Sequence, residues 1–112
     1  MAMLSIRIDL GDGARLGPGK VRLLELIEEL GSISAAARAM RMSYRRAWRL
    51  VEELNGCFET VVVSQTGGRQ GGGASLTPAG RALIAAYRGL ADRAEEAARA
   101  ELAAIQGARR RD

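Results

Sequence analysis

The chain has 112 residues, 47% of them hydrophobic and 27% charged, which suits one domain with a single core. Its formal net charge of +4 favours a polyanionic partner. Histidine is absent and Cys57 is the only cysteine, so we expect no disulfide, no metal site, no cofactor and no enzyme activity. The sequence has no apolar run of membrane-spanning length and no signal-peptide pattern, which predicts a cytoplasmic protein that contacts no membrane.

The first third of the chain predicts two short strands and a helix. Apolar and polar residues alternate over residues 4–10, which is the period of a half-buried strand. Residues 11–13, Gly-Asp-Gly, predict a turn, and residues 14–16 a short second strand. Pro18 occupies a favoured first helical position and Gly31 a favoured stop, so the first helix is expected over residues 18–30.

Two short helices joined by a tight turn are predicted next. Ser34 is expected to cap a second helix that ends near Met40, and Ser43 a third that ends near Gly56. Only Arg41 and Met42 lie between them, so the two helices must pack against each other.

This helix pair concentrates positive charge. It contains no acidic residue between positions 33 and 51 but carries Arg38, Arg41, Arg45, Arg46 and Arg49. At about 100° per residue, the last three project away from an apolar stripe. That stripe consists of Tyr44, Ala47, Val51, Leu54 and Phe58, with Trp48 at its edge. We therefore expect core packing for Tyr44 and Trp48 rather than stacking on bases, and a small buried side chain for Cys57. The alternative for Tyr44, which lies near the helix start, is that its hydroxyl reaches a phosphate.

Two acidic residues limit the surface that can approach DNA. Glu52 and Glu53 follow on the outer face of the third helix, so only its first two turns are expected to enter a major groove. The alternative is an ordinary solvated surface, in which Arg49 pairs with Glu53 one turn away.

A glycine-rich segment predicts a wing. Residues 61–63 and 74–77 have strand character, and residues 67–73 between them contain five glycines. This segment lacks the Gly-Lys-Ser/Thr of a P-loop and the dinucleotide-binding pattern. We expect its backbone and the side chains of Arg69 and Gln70 to contact DNA, against the alternative of a plain hairpin loop.

The C-terminal third predicts one long helix. Thr77-Pro78 is a start signal, and apolar residues then recur at near-heptad spacing from Leu83 to Ile105. The expected fold class is mainly α with a small β-hairpin. It comprises a winged helix-turn-helix over residues 1–77, a dimerisation helix over residues 78–106 and a basic tail over residues 107–112. The alternative for the helix is solvent exposure with a frayed end.

Several segments resemble the N-terminal DNA-binding domain of the ModE (molybdate-responsive) transcriptional regulator family. They are Ser32-Ile33-Ser34, Ser43-Tyr44, Ala47-Trp48, Glu53-Leu54-Asn55, the glycine-rich segment, Leu76-Thr77 and Gly80. Residues 76–81 more loosely resemble LysR-type regulators. The resemblance implies a homodimeric winged helix that binds palindromic double-stranded DNA. The expected DNA contacts are Ser34, Ser43, Tyr44, Arg45, Arg46, Arg49, Arg69, Gln70, Gly71 and Gly72.

The expected function is that of a sequence-specific transcriptional regulator. ModE regulators carry C-terminal oxyanion-binding domains, and these 112 residues contain no counterpart, so molybdate binding by this chain is not expected. Arg41 stands where helix-turn-helix proteins commonly have a turn glycine. The alternative function is a winged-helix protein-interaction module that does not bind DNA.

Overall fold

The computed structural model describes residues 2–65 and 72–110 and shows a winged helix-turn-helix, which confirms the predicted fold class. Its elements are β1 (Ile8–Gly11), β2 (Ala14–Leu16), α1 (Pro18–Leu30), α2 (Ile33–Ala39), α3 (Tyr44–Cys57), β3 (Val62–Gln65), β4 (Gly73–Leu76), α4 (Pro78–Ala97) and α5 (Arg99–Gly107). Within these described ranges, no helix is both long enough and apolar enough to cross a membrane.

The turn of the N-terminal hairpin and the two ends of α1 lie where the sequence predicts them. β1 pairs antiparallel with β2, with Ile8 opposite Leu16, and the residues of the connecting turn all have positive φ. α1 begins at Pro18 and ends at Leu30, and the Gly31 that follows has a left-handed φ of 80°, which favours glycine. The strand itself begins at Ile8, later than the alternating pattern predicts.

The core surrounds α1 on several sides. Val21, Leu23, Leu24 and Ile27 of this helix are fully buried. Around them pack the other buried residues, which are Leu16, Leu26, Ile33, Ala36, Ala37, Ala47, Val51, Leu54, Val61, Val62, Ala74, Leu76 and Tyr87. Because α2, α3, the wing strands and α4 all contribute, one core fixes the helix pair and the wing to the same scaffold.

The cap of α2 differs from the prediction. The Oγ of Ser32 accepts a hydrogen bond from the Ala35 N–H at 3.0 Å, whereas Ser34 lies within the first turn. The reason is that Ser32 has the extended backbone of a cap, and Ile33 is already helical and buried. The predicted cap of α3 is confirmed, since the Ser43 Oγ accepts from the Arg46 N–H at 3.1 Å.

The C-terminal helix is interrupted once, and only its first part packs against the core. The helix breaks at Ala98, which separates α4 from α5 although the hydrogen bonds on both sides of the break are kept. Leu83 packs against the core and Tyr87 is buried in it, with its hydroxyl donating to the Ile6 carbonyl oxygen at 2.6 Å. The α-carbon radius of gyration is 16.7 Å, against about 13 Å for a compact chain of this length, because α5 projects from the domain.

Ion pairs join α4 to α1. The Arg88 guanidinium donates to both carboxylate oxygens of Glu25, at 2.7 and 2.9 Å, and Arg22 lies 3.6 Å from the same carboxylate. The hydrogen bond with Arg88 lowers the pKa of Glu25 and raises that of Arg88 itself. A second pair, between Arg81 and Glu28, spans 3.6 Å.

Acid should weaken the folded state through Glu25. Because its pKa is lowered on folding, its contribution is complete above its ordinary pKa of 4.5 and is lost as the pH falls below that value. We expect Glu25→Gln to reduce the free energy of unfolding by about 1 kcal/mol or less at pH 7, since the pair is partly exposed, and by a smaller amount near pH 3. Urea unfolding at both pH values measures this, and an equal loss at both would contradict it.

Candidate nucleic-acid interface

The three predicted arginines of α3 lie on its exposed face. Arg45, Arg46 and Arg49 are exposed, while Ala47, Val51 and Leu54 are buried on the opposite side. None of the three arginines forms an ion pair with a residue of the described ranges, and the alternative pair between Arg49 and Glu53 is not formed. Their guanidinium groups are therefore available to an external anion.

The charge along the outer face of α3 changes sign as predicted. Glu52 and Glu53 are exposed in the third turn, beyond the arginines. A polyanion can therefore approach the N-terminal half of the helix more favourably than its C-terminal half. This polarity suits a helix that points its first turns into a DNA groove.

The turn between α2 and α3 uses arginine where glycine is common. Arg41 has a φ of 56°, in the left-handed region, and is exposed. The Met42 N–H donates to the Ala37 carbonyl oxygen at 3.0 Å, which closes the turn. Met42 is half-buried and packs against the core.

Three predicted core side chains are exposed instead. Tyr44 and Trp48 are 55% and 43% exposed, and Cys57 is exposed as well. Small side chains, Ala36 and Ala47 among them, fill the core where α2 packs against α3, and the large rings of Tyr44 and Trp48 remain at its rim. Leu50 and Phe58 pack against the core in their place.

Asn55 holds the wing against the end of α3. Its Oδ1 accepts from the backbone N–H groups of Val61 and Val62, at 2.8 and 3.2 Å, and its Nδ2 donates to the Val62 carbonyl oxygen at 3.1 Å. One side chain thus binds the start of β3 at three points. Asn55 belongs to the quoted family resemblance, but its positioning role was not predicted, because it depends on where the wing lies in three dimensions.

The wing strands are also fixed to α1 and α4. β3 pairs antiparallel with β4, from Val62 opposite Leu76 to Gln65 opposite Gly73. The Ala74 N–H donates to the Gly31 carbonyl oxygen at 2.9 Å, so the end of α1 is bonded directly to the wing. The base of the wing is therefore rigidly oriented relative to α3.

A cleft of about 260 Å³ joins α2, α3 and the wing. Ser32, Ser34, Tyr44, Ser64 and Gln65 line it together with Ile33 and residues 72–74. The structure thus brings together Ser34, Tyr44 and Gly72 from the predicted site, and the exposed Ser43 and arginines lie along the same helix α3. Arg69, Gln70 and Gly71 lie outside the described residues.

Helix order, turn geometry and wing together define a winged helix-turn-helix protein. The sequence profile described as bacterial regulatory helix-turn-helix protein, lysR family, matches residues 19–81. Because this is more than half of the chain, the protein belongs to that family.

Curated relatives carry names from the ModE group, which confirms the resemblance. The chain is 53% identical over 76 residues to the molybdenum-pterin-binding protein MopB of Rhodobacter capsulatus, a match covering 67% of this chain and 28% of the relative. It is 43% identical over 91 residues to the molybdenum transport protein ModE of Azotobacter vinelandii, covering 80% and 33%. It is 42% identical over 71 residues to the DNA-binding transcriptional dual regulator ModE of Escherichia coli K12, covering 62% and 27%. The match thus spans a third or less of each of these relatives.

Proposed function

We propose that this chain is a sequence-specific DNA-binding module of a transcriptional regulator that acts as a homodimer on molybdenum-related genes. One observation carries the proposal: the first two turns of α3 present three exposed arginines without ion-pair partners among the described residues, beside a wing base that Asn55 holds in place. The names of the relatives support the link to molybdenum. Regulation of transcription places the protein in the cytoplasm.

In this proposal α3 enters the major groove by its N-terminal half. Arginine can bind guanine O6 and N7 with two hydrogen bonds or clamp a phosphate, so Arg45, Arg46 and Arg49 supply both base and backbone contacts. Ser34 and Ser43 lie at the starts of the neighbouring helices α2 and α3, and we expect them to contact phosphates. Arg69, Gln70, Gly71 and Gly72 remain predicted wing contacts.

We assign DNA binding to this region, whereas molybdate binding by it is not expected. The exposed arginines of α3 face outward over an open surface, which fits the phosphates and base edges of a duplex better than a small enclosed anion.

Arginine substitutions test the proposal. We expect Arg45→Ala, Arg46→Ala and Arg49→Ala to weaken binding to a duplex selected from a random pool, by about 1–3 kcal/mol where the arginine contacts a base. Arg93→Ala, which removes an exposed arginine from α4, is the matched control and should leave affinity nearly unchanged. Fluorescence anisotropy across a salt series measures these affinities. Unchanged affinity in all three variants would overturn the recognition-helix assignment, and no salt-dependent binding to any duplex would favour a protein-interaction module.

The proposed dimer forms through the part of α4 beyond Tyr87 together with α5, which we call the arm. Leu90 and Ile105 are 45% and 65% exposed, and α5 has no buried residue. Their burial against a second copy removes apolar surface from water and matches two arms to a palindromic site. A groove of about 830 Å³ lies along α4 and α5, where Leu102 and Ala103 line it together with charged side chains such as Asp92, Glu95 and Arg99.

Charge on the arm should prevent dimerisation. We expect Leu90→Lys combined with Ile105→Lys to shift the protein from dimer to monomer, since two charges cannot be buried there without partners. Leu10→Lys places the same charge on an exposed apolar site in β1 and should leave the dimer intact. Sedimentation equilibrium distinguishes the two states. A wild type that sediments as a monomer at all concentrations would exclude the dimer.

A further inference from the structure

Tyr44 and Trp48 form an exposed aromatic ledge on one edge of α3. They are four residues apart and therefore neighbours on the helix surface, one turn above the other. Their exposed fractions are 55% and 43%, which leaves two large rings side by side in solvent. Two adjacent exposed aromatic residues on a polar helix face are an unusual feature that core packing does not account for.

The fold itself makes little use of these two rings. The apolar stripe of α3 is complete without them, since Ala47, Val51 and Leu54 are buried and Leu50 and Phe58 pack beside them. Among the described residues, neither the Tyr44 hydroxyl nor the Trp48 indole N–H has a hydrogen-bond partner. The polar ends of both side chains are therefore available to an external ligand, as are their ring faces.

The ledge adjoins the arginine face. At about 100° per residue, Arg45 lies about 60° and Arg49 about 100° around the helix from Trp48, whereas Tyr44 lies on the opposite flank of the ledge. Tyr44 also lines the cleft shared with Ser64 and Gln65 of β3. A duplex that receives the arginines in its major groove would therefore have base edges close to the ledge.

The chemistry of the DNA major groove indicates which group the two aromatic rings contact. The thymine 5-methyl group is the apolar feature that base edges present in the major groove, and apolar side chains read it by contact. Guanine, in contrast, presents the acceptors that arginine binds. We propose that Trp48, supported by Tyr44, contacts thymine methyl groups next to the bases bound by Arg45 and Arg49, and so reads sequence by apolar contact. This inference rests on the proposed DNA binding.

Trp48 is the only tryptophan of the chain, so its fluorescence reports on this residue alone. We expect addition of the selected duplex to the wild-type protein to change the emission of Trp48 and to reduce its quenching by neutral acrylamide. The same titration is followed by anisotropy of a labelled duplex, which reports binding independently. Binding by anisotropy without any change at Trp48 would overturn the ledge contact but leave the proposed function intact.

Replacement of thymine by deoxyuracil tests the methyl contact. It removes only the methyl group, and we expect affinity to fall about fourfold at each contacted position, which corresponds to about 0.8 kcal/mol for one methyl-sized group. Trp48→Ala should bind more weakly than the wild type and lose this sensitivity to deoxyuracil, whereas Leu10→Ala, at an exposed site in β1, should keep it. Equal sensitivity in the wild type and Trp48→Ala would overturn the proposal. So would acrylamide protection that depends on protein concentration in the absence of DNA, because the ledge would then be covered by a second copy.

Discussion

Gly80→Ala is expected to reduce the free energy of unfolding by about 3 kcal/mol or more and to lower Tm by about 10 °C or more. A β-carbon at position 80 would lie 2.4 Å from the Val61 carbonyl oxygen and 3.2 Å from its carbonyl carbon. The obstacle is backbone, which cannot rotate aside as a flexible side chain would. The same carbonyl oxygen accepts from the Thr77 N–H at 3.0 Å, so relief of the clash would also disturb the start of α4.

Gly89 provides the matched control for Gly80. It lies in the same helix, and a β-carbon there would have nothing within 4 Å. Gly89→Ala should therefore stabilise the protein by about 0.5–1 kcal/mol through helix propensity. Thermal unfolding followed by circular dichroism compares the two variants. Similar Tm values for both would show that α4 does not approach Val61 as closely as described.

Asn55→Ala is expected to cost about 2–4 kcal/mol of stability. The substitution removes three hydrogen bonds at the start of β3 and leaves the N–H groups of Val61 and Val62 without their acceptor. These groups sit where the chain passes from α3 into the wing, and water reaches them poorly because Val61 and Val62 are buried. Urea unfolding measures the loss. An unchanged dependence of the free energy of unfolding on urea concentration indicates that both proteins unfold in two states.

Asn55→Asp separates the role of this side chain as a hydrogen-bond acceptor from its role as a donor. Aspartate keeps an oxygen for both N–H groups but cannot donate to the Val62 carbonyl oxygen, so a smaller loss of about 1 kcal/mol is expected. Duplex binding should follow the same order, with Asn55→Ala the weaker binder because its wing is no longer held beside α3. Equal losses of stability in the two variants would contradict the role of Asn55 as an acceptor.

Local signals predicted the framework of this domain. Pro18 and Gly31 define both ends of α1, and Ser43 caps α3, because each acts through bonds or dihedral angles within a few residues of itself. The outward face of Arg45, Arg46 and Arg49 followed from helical periodicity for the same reason. These features carry most of the candidate site, which is why the sequence alone already indicates a DNA-binding helix.

Other features depend on packing between distant segments and were not predictable in this way. Tyr44 and Trp48 lie near the apolar stripe by periodicity, yet the packing of α2 against α3 leaves both rings outside. The role of Asn55 requires the position of β3. The helix is interrupted at Ala98, between Ala97 and Arg99, where the sequence has no glycine or proline. Nothing in the structure explains that interruption.

The bonds between the two ends of the chain have a consequence for the order of assembly. Residues 33–57 contain the helix pair α2 and α3. The scaffold around this pair is closed by two hydrogen-bonded contacts, Arg88 with Glu25 and Tyr87 with Ile6, whose partners lie 63 and 81 positions apart in the chain. Contacts of such separation form late, because the intervening chain must first be ordered. On the ribosome, α3 therefore emerges well before the segment that secures it. A nascent chain acquires the finished scaffold around α3 only after α4 has left the exit tunnel.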